Sequence, residues 1–166
     1  MDDHPIARGL SKENDVTNST DRLADRIEIN DLLARYATMV DFRKWNLHDQ
    51  VFSHDATADY VSSGGISGTA VEVMSWLDRA LAPWPVNLHL VTNIVVEFTG
   101  AAEAESTCYF MGPLGVGELG AQHVIMNAGL YVDRLRRDEA GWRITHREMR
   151  QTLMIGELPE GYVIPD

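Results

Sequence analysis

The sequence predicts an α+β domain, with helices first and a sheet of long antiparallel strands after them. Three observations carry this. Apolar residues recur at helical spacing in the first half, at Ile29, Leu32, Leu33, Tyr36, Ala37 and Val40. Beyond Pro85 the chain runs in long stretches rich in β-branched and aromatic residues. Strands and helices do not alternate, and no glycine-rich dinucleotide fingerprint is present, so the pattern is not that of a parallel βαβ sheet. The length, 166 residues, suits one domain.

Taken in order, residues 1–20 are polar and read as a mobile arm; the domain spans 21–155 and a tail 156–166. Ser19 or Thr20 is the expected N-cap of the first helix, with Asp21 and Asp25 in its first turn at the positive dipole end. A short helical stretch is expected over 46–52 and a strand over 55–61. Thr69-Ala70-Val71-Glu72 is a capping-box pattern opening a helix that buries Val73, Met74, Leu77 and Leu81, and Pro83-Trp84-Pro85 stops it. Strands are expected over 87–98, 101–111, 122–137 and 141–155, with a hairpin turn at Asp138-Glu139-Ala140-Gly141. The segment from Gly112 to Gly117 holds three of the 13 glycines and reads as a connection. Long strands must bend to cover helices laid on one face, and a bent sheet can leave a pocket.

Composition excludes several functions. With 14 Lys and Arg against 25 Asp and Glu, the formal net charge is −11, which repels phosphate backbones and anionic headgroups. No nucleic acid or membrane partner is expected. The single cysteine, Cys108, rules out an internal disulfide or a Cys-based zinc site, and its apolar strand-like surroundings read as a buried, inert thiol. His48, His54, His123 and His146 read as surface or satisfied histidines, so neither a metal nor a cofactor is expected. No apolar run is long enough for a membrane span, and Met1-Asp2-Asp3-His4 lacks an apolar signal region, which points to the cytoplasm.

Polar residues on faces that should be apolar carry the functional information, because burying them unpaired is costly. Tyr36 lies on the apolar face of the first helix. Asp41 follows Val40 at its end. His89 lies in Asn87-Leu88-His89-Leu90-Val91-Thr92-Asn93, on a strand face shared with Val91, Asn93 and Val95. Arg147 shares a face of the last strand with Thr145 and Met149. A carboxylate and an imidazole presented together to an apolar cavity form a general-base pair: the carboxylate fixes the ring tautomer and the far nitrogen takes a proton. Histidine suits this because its unperturbed pKa, about 6.5, lies near operating pH. Spacing alone leaves open a satisfied core histidine and a helix-capping aspartate.

Five fragments in order resemble the SnoaL-like branch of the nuclear transport factor 2-like superfamily, over about 20–155. They are 21–36 as the opening helix, Val40-Asp41-Phe42-Arg43-Lys44-Trp45 as its acid-bearing end, Phe52-Ser53-His54-Asp55-Ala56 as the first strand's entry, His89-Leu90-Val91-Thr92-Asn93 as the histidine strand, and Gly141-Trp142-Arg143-Ile144 as the closing strand. The resemblance implies a cone: a curved mixed sheet around helices, with a central pocket. It implies the Asp41–His89 pair from the family's lindane dehydrochlorinase, Tyr36 from its bile acid 7α-dehydratase, and Arg147 as an aid to the leaving group. Arg150 would replace Arg147 if a bulge shifted the facing of the strand. Tyr60 looks like a carbonyl-side tyrosine of scytalone dehydratase, and Asn127 stands near an asparagine of that enzyme. The sequence departs from the two dehydratases at Cys108-Tyr109-Phe110-Met111-Gly112, which holds no further acid or imidazole. Trp76, Val91, Met39 and Met126 are the expected apolar lining.

The function this implies is a cofactor-independent lyase, eliminating water or halide or cleaving a C–C bond, on a small apolar cyclic or aromatic substrate. The same fold also hosts isomerases, polyketide ring cyclases and non-catalytic small subunits of ring-hydroxylating dioxygenases. A homo-oligomer, dimer or trimer, is expected.

Overall fold

The computed structural model describes residues 19–165, with side chains from Arg22 onward, so the expected arm and the capping side chains Ser19, Thr20 and Asp21 fall outside what is described. Helix α1 spans Ser19–Asp41. Its apolar face is buried as the spacing requires: Ile29, Leu32, Leu33, Tyr36, Met39 and Val40 have essentially no exposed surface. Asp25 is not a first-turn dipole partner. It lies well inside the helix, buried, and accepts hydrogen bonds from Trp142 Nε1 (3.0 Å) and Arg137 Nη1 (2.9 Å), tying α1 to the far end of the sheet. Helix α1 ends where Arg43 turns into the left-handed region (φ 54°). The Arg43 guanidinium donates to the carbonyls of Val40, Leu81 and Trp84, and so joins the end of α1 to the segment 81–84.

A 3₁₀ turn (Trp45–Leu47) and helix α2 (His48–Val51) replace the single helical stretch expected over 46–52. Strand β1 (Phe52–Asp59) starts earlier than expected, and short β2 (Ser67–Thr69) pairs with it. Helix α3 (Ala70–Leu81) opens with the expected capping box: Thr69 Oγ1 accepts from Glu72 N at 3.3 Å, and Glu72 Oε2 accepts from Thr69 N at 2.9 Å. Then come β3 (Val86–Asn87), β4 (Leu90–Phe98), β5 (Glu103–Val116), β6 (His123–Asp138) and β7 (Gly141–Ile155).

The strands make one curved, unclosed sheet of seven, in the order β2-β1-β7-β6-β5-β3, with β4 pairing β5 beyond β3. Only β1 and β7 run parallel. Two expectations are corrected here. The glycine-rich segment from Gly112 is not a connection: β5 continues through it to Val116, pairing with β6 throughout. The run over 87–98 is not one strand: it breaks at Leu88-His89, opposite Gly112-Pro113. These facts share a cause. In an antiparallel ladder the N–H and C=O of one residue point the same way, and the Pro113 carbonyl accepts from Leu88 N. The N–H that proline lacks therefore faces the break, where no regular ladder bond is lost.

Bulges supply the curvature. Asn93 has φ 52°, and Asn93 and Ile94 together oppose Cys108. In β7, Thr145 and Thr152 are extra residues against β6. Each bulge reverses the alternation, so Trp142 and Ile144 face inward before Thr145, and Arg147 and Met149 after it. At the second bulge the backbones come so close that a Cβ on Gly129 would collide with the Arg150 carbonyl. The core lies between α1, α3 and the concave side of the sheet. Among the described residues no helix is long and apolar enough to cross a membrane.

Candidate active site

A cavity of about 350 Å³ lies between the helices and the concave sheet. Helix α1 brings Tyr36 to it, and five residues on, at its C-terminal end, places Asp41 behind the cavity-lining His89. The break between β3 and β4 brings His89. No partner on β5 takes the His89 backbone N–H; it donates instead to Asp41 Oδ2 at 2.9 Å. The His89 ring sits against the other oxygen, Nδ1 to Asp41 Oδ1 at 2.6 Å, with both side chains about nine-tenths buried. A carboxylate accepts only, so Nδ1 carries a proton, and in the neutral ring the lone pair falls on Nε2. One aspartate thus fixes both the position and the tautomer of the imidazole, which borders the cavity. The expected strand face of His89, Val91, Asn93 and Val95 does not exist as such: His89 lies outside β4, and the Asn93 bulge turns Val95 to the surface.

Beside His89, in edge contact with its ring at 6.1 Å between centroids, lies Tyr36. Its hydroxyl is 2.5 Å from that of Tyr60, which sits just after β1, and both line the cavity. Burial pushes the phenol of Tyr36 upward against a smaller opposing pull from Arg147, and burial with the adjacent Tyr36 lifts Tyr60 well above the ordinary range. Both therefore stay protonated donors. One of their two protons lies in the mutual bond, and the Tyr36 hydroxyl is also hydrogen-bonded by Tyr131.

Arg147, not Arg150, is the inward arginine: the Thr145 bulge sets this, and Arg150 pairs with Glu148 on the other face. Arg147 does not border the cavity, however. It is fully buried behind the tyrosines, its guanidinium carbon 4.0 Å from the Tyr36 ring centre and 4.2 Å from that of Tyr131. Nε and Nη2 grip both oxygens of buried Asp133 at 2.7 Å each. Burial opposes its charge, but Asp133 outweighs this and holds the guanidinium more basic than usual. Arg147 is thus not placed to touch a molecule in the cavity directly; what it meets on that side is the two tyrosine rings. Asp133 and Tyr131 escaped the sequence reading, although Tyr131, Asp133 and Leu135 alternate inward on β6.

Of the expected lining, Tyr60, Trp76 and Asn127 border the cavity. Met39, Met126 and Val91 do not. Met39 is buried in the core under α1 and Val91 packs against the core's edge. Met126 pairs with Pro113 and Ile155, one step out of phase with cavity-lining Ile125 and Asn127. Residues 156–165, set apart as a tail, return over the cavity: Leu158, Tyr162 and Ile164 line it, and the Pro165 carbonyl accepts from Trp76 Nε1 at 2.8 Å. Cys108 is buried with its thiol pushed up to about 12 by burial, as an inert thiol should be. Among the described residues no group of three or more His, Cys, Asp or Glu side chains is placed to hold a metal ion.

A curved sheet around helices, enclosing a cavity whose wall holds a histidine gripped by an aspartate behind it, defines a cone-shaped α+β domain. The chain belongs to the SnoaL-like domain family, whose model matches residues 21–148. It is 33% identical over 129 residues to an uncharacterised protein of Mycobacterium tuberculosis, covering 78% of this chain and 86% of that one. Among solved structures it resembles the hexachlorocyclohexane dehydrochlorinase LinA-type3 of Novosphingobium barchaimii, with TM-score 0.70 and 20% identity over 89% of this chain and 99% of the other. It also resembles a putative scytalone dehydratase of Novosphingobium aromaticivorans, with TM-score 0.72 and 16% identity over 87% and 99%. At these identities the likeness is one of fold.

Proposed function

We propose that the protein is a lyase that uses His89 as a general base, with no cofactor, on a small cyclic or aromatic substrate. The observation that carries this reading is the double grip of Asp41 on His89, which leaves Nε2 free at the cavity wall. In the proposed reaction Nε2 takes a proton from a carbon next to an electron-withdrawing group. Asp41 steadies the imidazolium that forms. The electron pair left on carbon closes a double bond as the β-substituent departs with its own bonding pair. Where that substituent is hydroxide, the Tyr36–Tyr60 pair supplies the proton that makes it water, and the imidazolium returns the proton taken from carbon to the pair. The similarity to a dehydrochlorinase and a putative dehydratase supports elimination over other uses of the same base. An isomerase would use His89 equally, returning the proton at another carbon.

A positioned base supplies about 10²- to 10⁴-fold in rate. His89→Ala and Asp41→Asn are expected to keep the circular dichroism spectrum and to lose at least about 10²-fold in turnover. The assay is a screen of hydroxylated and halogenated ring compounds read by loss of water or hydrogen halide in mass spectrometry. Near-wild-type turnover by either variant would sink the reading.

A further inference from the structure

Among the polar side chains of the cavity wall that the proposed reaction does not use, Asn87 carries a buried atom without a hydrogen-bond partner. Asn87, the last residue of β3, lies two residues before His89 and is 5% exposed. It borders the cavity. Its Nδ2 donates to the Val40 carbonyl at 3.4 Å. That carbonyl is at the end of α1, one residue before Asp41, and can only accept, so the orientation of the amide is determined: nitrogen toward the helix, oxygen away from it. The oxygen, Oδ1, is buried and has no hydrogen-bond partner. Buried acceptors are ordinarily paired, and an unpaired one on a residue that borders the cavity asks for a donor from what binds there.

We infer that Asn87 is a substrate-binding residue, its Oδ1 accepting a hydrogen bond from a hydroxyl on the substrate, so that the ring compound taken up carries an O–H group. This rests on the reading of the cavity as the substrate site of a lyase and narrows its substrate class. A hydrocarbon or purely halogenated ring would enter without satisfying Oδ1 and bind less well for that reason. The hydroxyl bound by Asn87 is one that stays: an acceptor steadies a hydroxyl proton but gives a departing hydroxide nothing.

The probes are 2-naphthol and 2-methoxynaphthalene, which share a ring system and an oxygen but differ in the O–H. Binding is measured by isothermal titration calorimetry on the wild type, Asn87→Leu and Asn87→Ala. The wild type is expected to prefer 2-naphthol about tenfold, the worth of one satisfied buried acceptor. Both variants are expected to lose that preference and to keep the wild-type affinity for 2-methoxynaphthalene, which shows that the cavity is intact. Wild type without preference, variants that retain it, or variants that lose both probes equally would each overturn the assignment. Because binding and not turnover is read, the result stands apart from the His89 and Asp41 assay: the preference can persist in an inactive His89→Ala protein, and can fail in an active enzyme.

Discussion

Arg147 has no exposed surface, and its charge is supported from two directions: by the carboxylate of Asp133 and by the faces of Tyr36 and Tyr131. Breaking such a pair strands a charge in the interior, so Asp133→Asn and Arg147→Met are each expected to cost about 3–5 kcal/mol in denaturant unfolding. The double variant Asp133→Leu with Arg147→Met should recover much of this, since two apolar groups leave nothing uncompensated. Cys108 gives a pH-dependent counterpart. Its folded pKa of about 12 exceeds the ordinary 9.0, so the unfolded thiol ionises first as pH rises. The stability it contributes is complete below about pH 9 and is lost as pH climbs toward 12. Urea midpoints for wild type and Cys108→Ala should therefore differ increasingly less over that window, and iodoacetamide should label the thiol only on unfolding. Tyr36, Asp41 and His89 were legible because each breaks an apolar pattern at a place where the family motif also falls. Asp133 broke the same pattern on β6 but no motif drew attention to it. Asn87 was hidden because an asparagine after Pro85 reads as a strand start.

At the scale of elements, α3 and the β6–β7 hairpin were legible because local rules decide them. Thr69 and Glu72 cap each other whatever else the chain does. Gly141, with φ 105°, closes the tight turn with Asp138. The end of β5 and the interruption before β4 were not legible, because each depends on the other: Pro113 is tolerated only where its neighbour strand is broken. Bulges are likewise invisible to a period-two reading, which is why the face of His89 was misjudged and the choice between Arg147 and Arg150 stayed open. Gly129 shows what a bulge demands of its neighbour. Gly129→Ala is expected to lower stability by about 1–3 kcal/mol, since the new methyl meets backbone that cannot swing aside. Its effect on the melting temperature should exceed that of Gly112→Ala, where the added methyl would make only ordinary contacts.

For the molecule as a whole, the concave side of the sheet is occupied by the helices, and the convex side presents exposed Leu90, Tyr109, Met111, Leu153 and Ile155. Such an apolar expanse in a chain of net charge −11 is what an assembly of identical subunits would cover. Sedimentation equilibrium is expected to return a multiple of 18.6 kDa, and Met111→Lys with Leu153→Lys to return the single mass. A monomeric wild type would refute this. The bulges in β7 carry one more consequence, for how such a cavity evolves. Thr145 and Thr152 are supernumerary against β6, so deleting either would leave every later residue facing the side it faces now and would only straighten the strand. Width and lining are thereby separately heritable. A lineage can enlarge or flatten the chamber by gaining or losing a single codon while keeping its chemistry, and can exchange lining residues by substitution while keeping its size.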